Sequence, residues 1–264
     1  HRNFAFALII SVYYGEFSMN NKYSHDSIVS CYMSDCHYLL RPESFLDLAQ
    51  QMAVKAAQVQ SFNDNALKSH GCAWILARMQ VRFERKVRFD ENIHLDTWHR
   101  GLDGLYFIRD YQLKDSEGRV AVNSTSSWIV MNLESRRICR GEEIMSLIPS
   151  GPQSPDKAIE NPCPKITFPK GAELKELGTH RVNWSDVDYN GHANNVKYTV
   201  WALDNLPQDL VFGHFLKEVT INFNKEARAG DTVTLSHTEC DGAHIVEGRC
   251  GDHQVFIERL VFEP

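Results

Sequence analysis

The chain lacks the short cysteine and histidine motifs that mark metal sites. Its seven cysteines are an odd number and include no Cys-x-x-Cys pair, and its twelve histidines include no His-Glu-x-x-His segment. These absences argue against a zinc ribbon, a dense disulfide framework and a metalloprotease centre. We therefore expect no metal, and we expect free thiols in a reducing compartment, which suggests a cytoplasmic location.

The chain also has no strong excess of one charge and no apolar run long enough to cross a bilayer. Its net charge is −6, whereas general nucleic-acid binders usually carry a strong basic excess. The apolar stretch FAFALIISVYY at residues 4–14 falls well short of the ~20 residues that span a membrane. The sequence therefore predicts neither a nucleic-acid partner nor a membrane partner.

The first residues allow three interpretations. The chain opens on His1, and Met19 is its first methionine. We prefer the interpretation in which Met19 is the true start and residues 1–18 are upstream sequence. A signal or anchor is the second, because Arg2 precedes the apolar stretch, although no Ala-x-Ala cleavage site follows. A packed strand or helix is the third. We treat residues 1–29 as an N-terminal extension.

One segment divides the rest of the chain. Six of the nine prolines lie in PSGPQSPDKAIENPCPKITFP at residues 149–169. Proline lacks a backbone donor and restricts the residue before it, so this segment is predicted to be neither a helix nor a central strand. We predict a surface linker at 149–174 between a first half at 30–148 and a second half at 175–264.

The two halves resemble each other in sequence. VRFERKVRFDENIHL at residues 81–95 aligns without a gap with INFNKEARAGDTVTL at residues 221–235, which pairs Val81 with Ile221 and Phe83 with Phe223. Such similarity at a fixed offset indicates an internal repeat.

Each half places a helical pattern before several strand patterns. Apolar residues have helical spacing at 43–60, and a second helix is predicted at 194–206. The alternation at 78–89 predicts a half-buried strand, and further strand patterns follow in both halves. A helix followed by an antiparallel sheet, twice over, is an α+β architecture in which each helix packs on the concave face of the sheet.

The densest polar segment, NWSDVDYNGHANNVKY at residues 183–198, leads into the second helix. Asp188, Asn190 and His192 alternate, so an extended segment would point all three the same way. The first N–H groups of the helix would be free to bind an oxyanion. A carboxylate, an amide and an imidazole beside free donors suit acyl-transfer chemistry, and a polar loop with a helix cap is the structural alternative.

Asp-x-Asn-x-His followed by Asn-Asn and Tyr198 resembles the acyl-acyl carrier protein thioesterases of plants and bacteria. The resemblance covers nearly the whole chain from about Ser30, including WILARMQVR at 74–82 and SWIVMNLESRR at 127–137. These proteins consist of two fused hotdog repeats, in each of which an antiparallel sheet wraps a long helix. The resemblance implies this fold, with the catalytic site in the second repeat.

The resemblance also implies a role for each polar residue of the site. The catalytic carboxylate of the family lies 34 residues after the histidine, which here is Glu226. Glu226 would activate water or attack directly, and His192 would exchange protons with it. Asp188 would polarise the network, and Asn190 would fix the geometry of the site. Plant members often have a cysteine after the glutamate, but this chain has Ala227, which excludes a thiol mechanism at that position.

The first half is predicted to be inactive. The ungapped alignment places Lys86 opposite Glu226. A second alignment pairs Asp35 with Asp186, and we use it to infer that the first half lacks every proposed catalytic group. That alignment sets the following residues opposite Asp188, Asn190 and His192: His37, Leu39 and Arg41.

The first half is therefore free to hold the substrate. Its long helix offers Met52, Ala53 and Ala56 as small or flexible lining for an acyl tail. Basic residues, among them Arg136 and Arg137, suit docking of the acidic acyl carrier protein, although an ordinary solvated face is the alternative.

We expect an enzyme that hydrolyses fatty acyl thioesters of acyl carrier protein during fatty acid biosynthesis, with water as second substrate and no cofactor. An acyl-CoA thioesterase on the same fold is one alternative, and a non-catalytic acyl-binding hotdog protein is another. Because fused hotdogs already form a pseudo-dimer, both a monomer and a homodimer are open.

Overall fold

A computed structural model describes residues 16–17, 21–60, 62–148 and 151–264 of the chain. The expectations for residues 1–18 therefore lie outside the described residues, apart from a short strand at 16–17. The helices are α1 (Pro42–Val59), α2 (Asp64–Lys68), α3 (Gly141–Leu147), α4 (Asn195–Asn205) and α5 (Gln208–Gly213). The strands are β1 (Glu16–Phe17), β2 (Tyr23–Ile28), β3 (Cys72–Phe83), β4 (Asn92–Asp103), β5 (Tyr106–Asp115), β6 (Val120–Asn132), β7 (Lys175–Arg181), β8 (Phe215–Phe223), β9 (Thr232–Cys240), β10 (Ala243–Cys250) and β11 (His253–Glu263).

The strands form one antiparallel sheet in the order β1-β2-β4-β5-β6-β3-β8-β11-β10-β9-β7. The two halves meet where β3 pairs with β8, with Met79 opposite Ile221 and Val81 opposite Val219. The pairing is symmetric. In the ungapped alignment Val81 is equivalent to Ile221 and Met79 to Val219, so exchanging the two halves gives the same two pairs. Strand β2, within the stretch predicted as an extension, pairs with β4 and so joins the sheet.

Helices α1 and α4 lie against each other and bury their apolar faces in a single core. Helix α1 begins with Pro42 at its first position, where the missing N–H costs nothing. Its spacing then buries Phe45, Ala49 and Met52, while α4 buries Trp201. Burying a large apolar side chain contributes roughly 1.5–3 kcal/mol, so this shared core stabilises both halves together.

The strand predicted at 78–89 is wrong at both ends. Strand β3 begins earlier, at Cys72, and ends at Phe83. Beyond it, Arg85 turns aside to pair with Asp115 at 3.2 Å and with Glu91. Residues 87–89 contact the loop before α1 instead of a neighbouring strand: the N–H of Leu40 donates to Val87 O and that of Phe89 to Tyr38 O. Val87 is buried but Phe89 is 41% exposed, so the predicted alternation of burial ends at Val87.

The proline-rich segment contains no helix or strand in its described part, residues 151–174. It crosses the face of the sheet opposite the helices, held there by hydrogen bonds from its backbone. The N–H of Ala158 donates to Asp110 Oδ2 at 2.8 Å, and the N–H of Ile166 donates to Asn222 Oδ1 at 2.7 Å. These bonds connect the linker to strands of both halves.

None of the helices in the described ranges is long and apolar enough to cross a membrane.

Candidate active site

Residues 188–192 form a turn before α4, not the extended segment that their alternation suggests. The Asp188 carboxylate accepts hydrogen bonds from the Asn190 backbone N–H at 2.8 Å and from Asn190 Nδ2 at 3.3 Å. Gly191, with φ of 81°, donates its N–H to Asp188 O at 3.0 Å. The left-handed backbone at Gly191 favours glycine and reverses the chain. Asp188 and Asn190 therefore interact with each other.

His192 and Glu226 meet across two separate segments. The Nε2 atom of His192 lies 3.2 Å from Glu226 Oε2, and both side chains are about one third exposed. The N–H of Ala193 donates to Ala227 O at 2.8 Å, which fixes the loop after β8 against the turn before α4. The pair is thus held by the backbone and remains open to substrate, as general acid–base chemistry requires.

Tyr198 lies beneath this pair, and the prediction of site residues did not include it. It is 1% exposed, and its hydroxyl oxygen accepts the N–H of Ala227 at 3.2 Å. Burial, with a smaller contribution from the negative charges of Glu226 and Asp188, raises the pKa of Tyr198 to about 12. Tyr198 therefore stays protonated. The signal available in the sequence was the resemblance itself, because Tyr198 is part of the segment that carries it.

Asp186 stabilises the segment that leads into this turn. Its Oδ2 accepts the N–H of Asn183 at 2.8 Å and lies 2.9 Å from His180 Nε2. The indole N–H of Trp201 reaches Oδ1 at 3.4 Å. Burial disfavours the charge on Asp186, but the bonds from Asn183 and His180 outweigh it and hold its pKa below the usual value. This ionised carboxylate anchors the segment between β7 and α4.

The N-terminus of α4 is less free than expected. Asn194 caps the helix, and its side-chain oxygen accepts the N–H of Val196 at 3.2 Å. The N–H of Lys197 donates to Asn194 O at 2.8 Å. Two of the donors proposed for an oxyanion are therefore already used.

A hairpin of the first half reaches the second-half site. Between β6 and α3, Arg136 has φ of 57° and places Nη2 4.0 Å from Glu226 Oε2. Arg228 approaches the same oxygen to 3.8 Å. Arg137 forms no ion pair with the part of the chain that the structure describes. The two predicted docking residues are thus separated: one lies beside the proposed catalytic carboxylate and the other does not.

The predicted tail-lining residues all lie on the buried face of α1. Met52, Ala53 and Ala56 are 3%, 6% and 0% exposed and belong to the core shared by both helices and the sheet. They therefore face the space between α1 and the concave face of the sheet.

The first half folds its equivalent loop in the same way, which corrects one of the two alignments. The N–H of Asp35 donates to Leu39 O at 2.8 Å, as the N–H of Asp188 donates to His192 O at 2.9 Å. Asp35 is therefore equivalent to Asp188 and not to Asp186. The inference that the first half lacks every proposed catalytic group is wrong, because it keeps the aspartate and has leucine in place of the histidine.

The carboxylate position follows the other alignment. The N–H of Leu40 donates to Val87 O and the N–H of Ala193 donates to Ala227 O, both at 2.8 Å. The residue before Val87 is therefore equivalent to Glu226, and it is the lysine that the ungapped alignment predicts.

Comparison with known proteins identifies the family. The model of the acyl-ACP thioesterase N-terminal domain matches residues 20–148, and that of the C-terminal domain matches residues 171–258. Oleoyl-acyl carrier protein thioesterase 2 of Arabidopsis thaliana, a chloroplastic protein, is 26% identical over 80% of this chain and 61% of its own length. Oleoyl-acyl carrier protein thioesterase 1 of the same plant is 26% identical over 84% of this chain and 66% of its own length. The chain thus spans less than two thirds of these relatives.

Solved structures confirm the predicted α+β fold of two fused hotdog repeats. An acyl-ACP thioesterase from Bacteroides thetaiotaomicron superposes with a TM-score of 0.78 at 21% identity, covering 92% of this chain and 98% of that one. The 12:0-ACP thioesterase from Umbellularia californica superposes with a TM-score of 0.79 at 18% identity, covering 92% and 97%. The two domain matches cover most of the chain, which therefore belongs to the acyl-ACP thioesterase family.

Proposed function

We propose that this protein hydrolyses fatty acyl thioesters of acyl carrier protein, releasing free fatty acid and the carrier thiol. The observation that carries the proposal is the contact between His192 Nε2 and Glu226 Oε2 at 3.2 Å, in an open position beside the start of α4. An imidazole and a carboxylate in contact form a proton-transfer pair, and the membership of the family supports thioester hydrolysis as the reaction they serve.

In the proposed mechanism Glu226 takes a proton from water as the water oxygen attacks the acyl carbon. The carbon–sulfur bond then breaks, and the proton reaches the departing sulfur through His192. Asp188 holds the turn through Asn190, and Tyr198 supports the loop that carries Glu226 by accepting the N–H of Ala227. The side-chain amide of Asn190 is exposed and is our choice for stabilising the thioester oxygen. Water completes the reaction, so no cofactor takes part.

We place the acyl tail under α1 and the carrier protein near the hairpin that carries Arg136 and Arg137. Exposed cations there would attract an acidic partner. Another basic residue of the first half, Arg82, is already engaged, since its Nε lies 3.0 Å from Glu218 Oε2. A monomer is our preferred state, since the two repeats supply both halves of the site. Seven free cysteines support a reducing compartment such as the cytoplasm.

The direct test is a release assay with a series of acyl thioesters of acyl carrier protein, run in parallel with the matching acyl-CoA series. We expect a higher kcat/KM for the carrier-protein series. Equal or better hydrolysis of acyl-CoA would replace the proposal with an acyl-CoA thioesterase. Acyl binding without hydrolysis of either series would identify a non-catalytic binding protein.

A further inference from the structure

A polar cluster lies on the inner face of the first-half sheet, where an acyl tail would be expected to meet only hydrocarbon. Arg109 on β5 is opposite His99 on β4 and Ser126 on β6. Side chains alternate along a strand, so Arg109 shares the inner face with its neighbours Phe107 and Tyr111, both of which are buried in apolar clusters.

Arg109 carries a positive charge but has few hydrogen-bond partners among the described residues. The one hydrogen bond of its guanidinium to a described residue runs from Nη1 to Thr97 Oγ1 at 3.3 Å, and it forms no ion pair with any described carboxylate. Burial lowers the pKa of Arg109, yet part of its surface remains accessible. Its other guanidinium N–H groups have no acceptor among the described residues, and a partly desolvated donor without an acceptor is costly.

His99 has an unused nitrogen in the same place. The residue is 4% exposed, and its Nδ1 lies 2.9 Å from Ile108 O and 3.1 Å from Gly101 N. Its Nε2 is buried and has no hydrogen-bond partner among the described residues. Burial lowers the pKa of His99 to about 4, so the ring is neutral at neutral pH. Depending on the tautomer, Nε2 offers either a donor or an acceptor.

The cluster is within reach of an acyl chain that is bound at Glu226. In the sheet order β5 is three strands from β8, about 14 Å across the sheet at the usual spacing between strands, and Glu226 follows three residues after β8 ends. One row nearer the Arg136 hairpin, Phe107 is opposite Trp128, whose indole N–H donates to Ser126 Oγ at 2.8 Å. The aromatic side chains of Phe107 and Trp128 therefore lie between the proposed catalytic end and the polar cluster.

We propose that Arg109 and His99 bind a hydroxyl group carried on the acyl chain, so that the enzyme prefers hydroxylated fatty acyl thioesters to unsubstituted chains of the same length. A hydroxyl oxygen accepts from Arg109, and a hydroxyl group can either donate to His99 Nε2 or accept from it. A plain hydrocarbon leaves the remaining N–H groups of Arg109 and Nε2 of His99 without a partner, and a carboxylate serves only one tautomer of His99. This inference rests on the proposed function, because it names the substrate class of the same site.

The first test uses the unaltered protein. The kcat/KM for a saturated acyl thioester of the carrier protein is compared with those of its mid-chain and terminal hydroxy derivatives. Hydrogen bonds to charged groups contribute enough for a preference of roughly tenfold to a hundredfold for at least one hydroxyl position. If no hydroxy derivative exceeds the plain chain, the inference is overturned.

The second test uses Arg109→Met and His99→Leu, each of which should abolish that preference while the plain chain is still hydrolysed. Lys114→Met is the matched control, because it removes a cation from the opposite face of the same strand, where Lys114 pairs with Asp96 at 2.8 Å. It should leave the preference intact. A preference that survives Arg109→Met in folded protein contradicts the inference.

Calorimetric binding of free hydroxy fatty acid and plain fatty acid separates this inference from the catalytic one. If the protein hydrolyses neither thioester but binds the hydroxy acid more tightly, the proposed function fails and the hydroxyl site stands. If it hydrolyses both thioesters equally and binds both acids equally, the hydroxyl site fails alone.

Discussion

Glu258 is a carboxyl group enclosed in the core of the second half. It is fully buried, and its Oε2 accepts a hydrogen bond from Thr199 Oγ1 at 2.9 Å, while its Oε1 has no partner among the described residues. Burial raises the pKa of Glu258 from its usual 4.5 to about 8, with only Thr199 opposing the shift. The folded protein therefore holds Glu258 protonated at neutral pH.

This raised pKa predicts a stability that falls as pH rises. Between pH 4.5 and 8 the unfolded chain ionises Glu258 and the folded protein does not, so the free energy of unfolding decreases by about 1.4 kcal/mol per pH unit. Glu258→Gln should remove this contribution, so that the free energy of unfolding of the variant increases relative to that of the parent protein as pH rises. Urea unfolding at pH 5 and pH 7.5 measures the difference.

Glu117→Gln, at an exposed position whose side chain is 67% accessible, is the control and should follow the parent protein at both pH values. Equal pH dependence of Glu258→Gln and the parent would show that Glu258 is ionised in the fold.

Individual site residues were predictable from the sequence to different degrees. The separation of His192 and Glu226 along the chain contains no information about their contact, and only the family resemblance indicated it. The turn at Gly191 was misjudged because alternation in a sequence predicts a shared face only if the backbone is extended. The error in aligning Asp35 with Asp186 could have been avoided by aligning the helix starts. Pro42 and Asn195 are the first residues of α1 and α4, and the alignment that pairs them also pairs Asp35 with Asp188.

The hairpin between β6 and α3 brings first-half cations to the second-half site. Its tip is held by Asn132, whose side-chain oxygen accepts the N–H of Ser135 at 2.8 Å and whose backbone O accepts the N–H of Arg136 at 2.9 Å. We expect Arg136→Glu to lower kcat for both a carrier-protein substrate and a small acyl thioester, because it sets a second carboxylate beside Glu226. Steady-state kinetics on the two substrates measures this.

Arg137→Glu is the matched variant. It should raise KM for the carrier-protein substrate alone and weaken its dependence on ionic strength, since salt screens exposed charge pairs. Equal behaviour of the two variants on the small thioester would refute the separation of roles.

Helix α1 provides the second prediction about an element. Ala53→Phe or Ala56→Phe should shift the released fatty acids to shorter chains, because each adds bulk to the buried face of α1 in the proposed tail pocket. Gas chromatography of the products measures the profile. Overpacking costs typically 1–3 kcal/mol, so thermal melts must first confirm that the variants are folded.

Val59→Phe, at an exposed position that ends the same helix, should leave the profile unchanged. An unchanged profile in folded Ala53→Phe and Ala56→Phe proteins would place the tail elsewhere.

The elements were predictable where local pattern and tertiary packing agree. The helices predicted at 43–60 and 194–206 are observed at Pro42–Val59 and Asn195–Asn205, within one residue at each end. The exception at 84–89 has a physical cause: Arg85 pairs with Glu91 and Asp115 where the chain leaves the strand, and Phe89 is exposed. Charge pairing across a turn leaves no signal in hydrophobic periodicity.

Across the whole molecule, two halves of one architecture share a sheet and a core but differ in their polar loops. The repeat was visible in the sequence because the β3 and β8 segments align without a gap. How the halves join was not, since the pairing of β3 with β8 joins segments far apart in the chain. The same pairing sets the Arg136 hairpin beside Glu226, so a single proposed site draws on both halves.

The central claim is that the two halves, equivalent in fold, are opposite in importance for hydrolysis. The most direct measurement is kcat for Glu226→Gln and for Lys86→Gln on one acyl-carrier-protein substrate. Removing a general base typically costs ~10²–10⁴ in rate, so Glu226→Gln should lose at least about a hundredfold while the fold survives. Lys86→Gln, at the equivalent position, should keep nearly normal kcat. Near-normal turnover by Glu226→Gln, or an equal loss in both variants, would contradict the account.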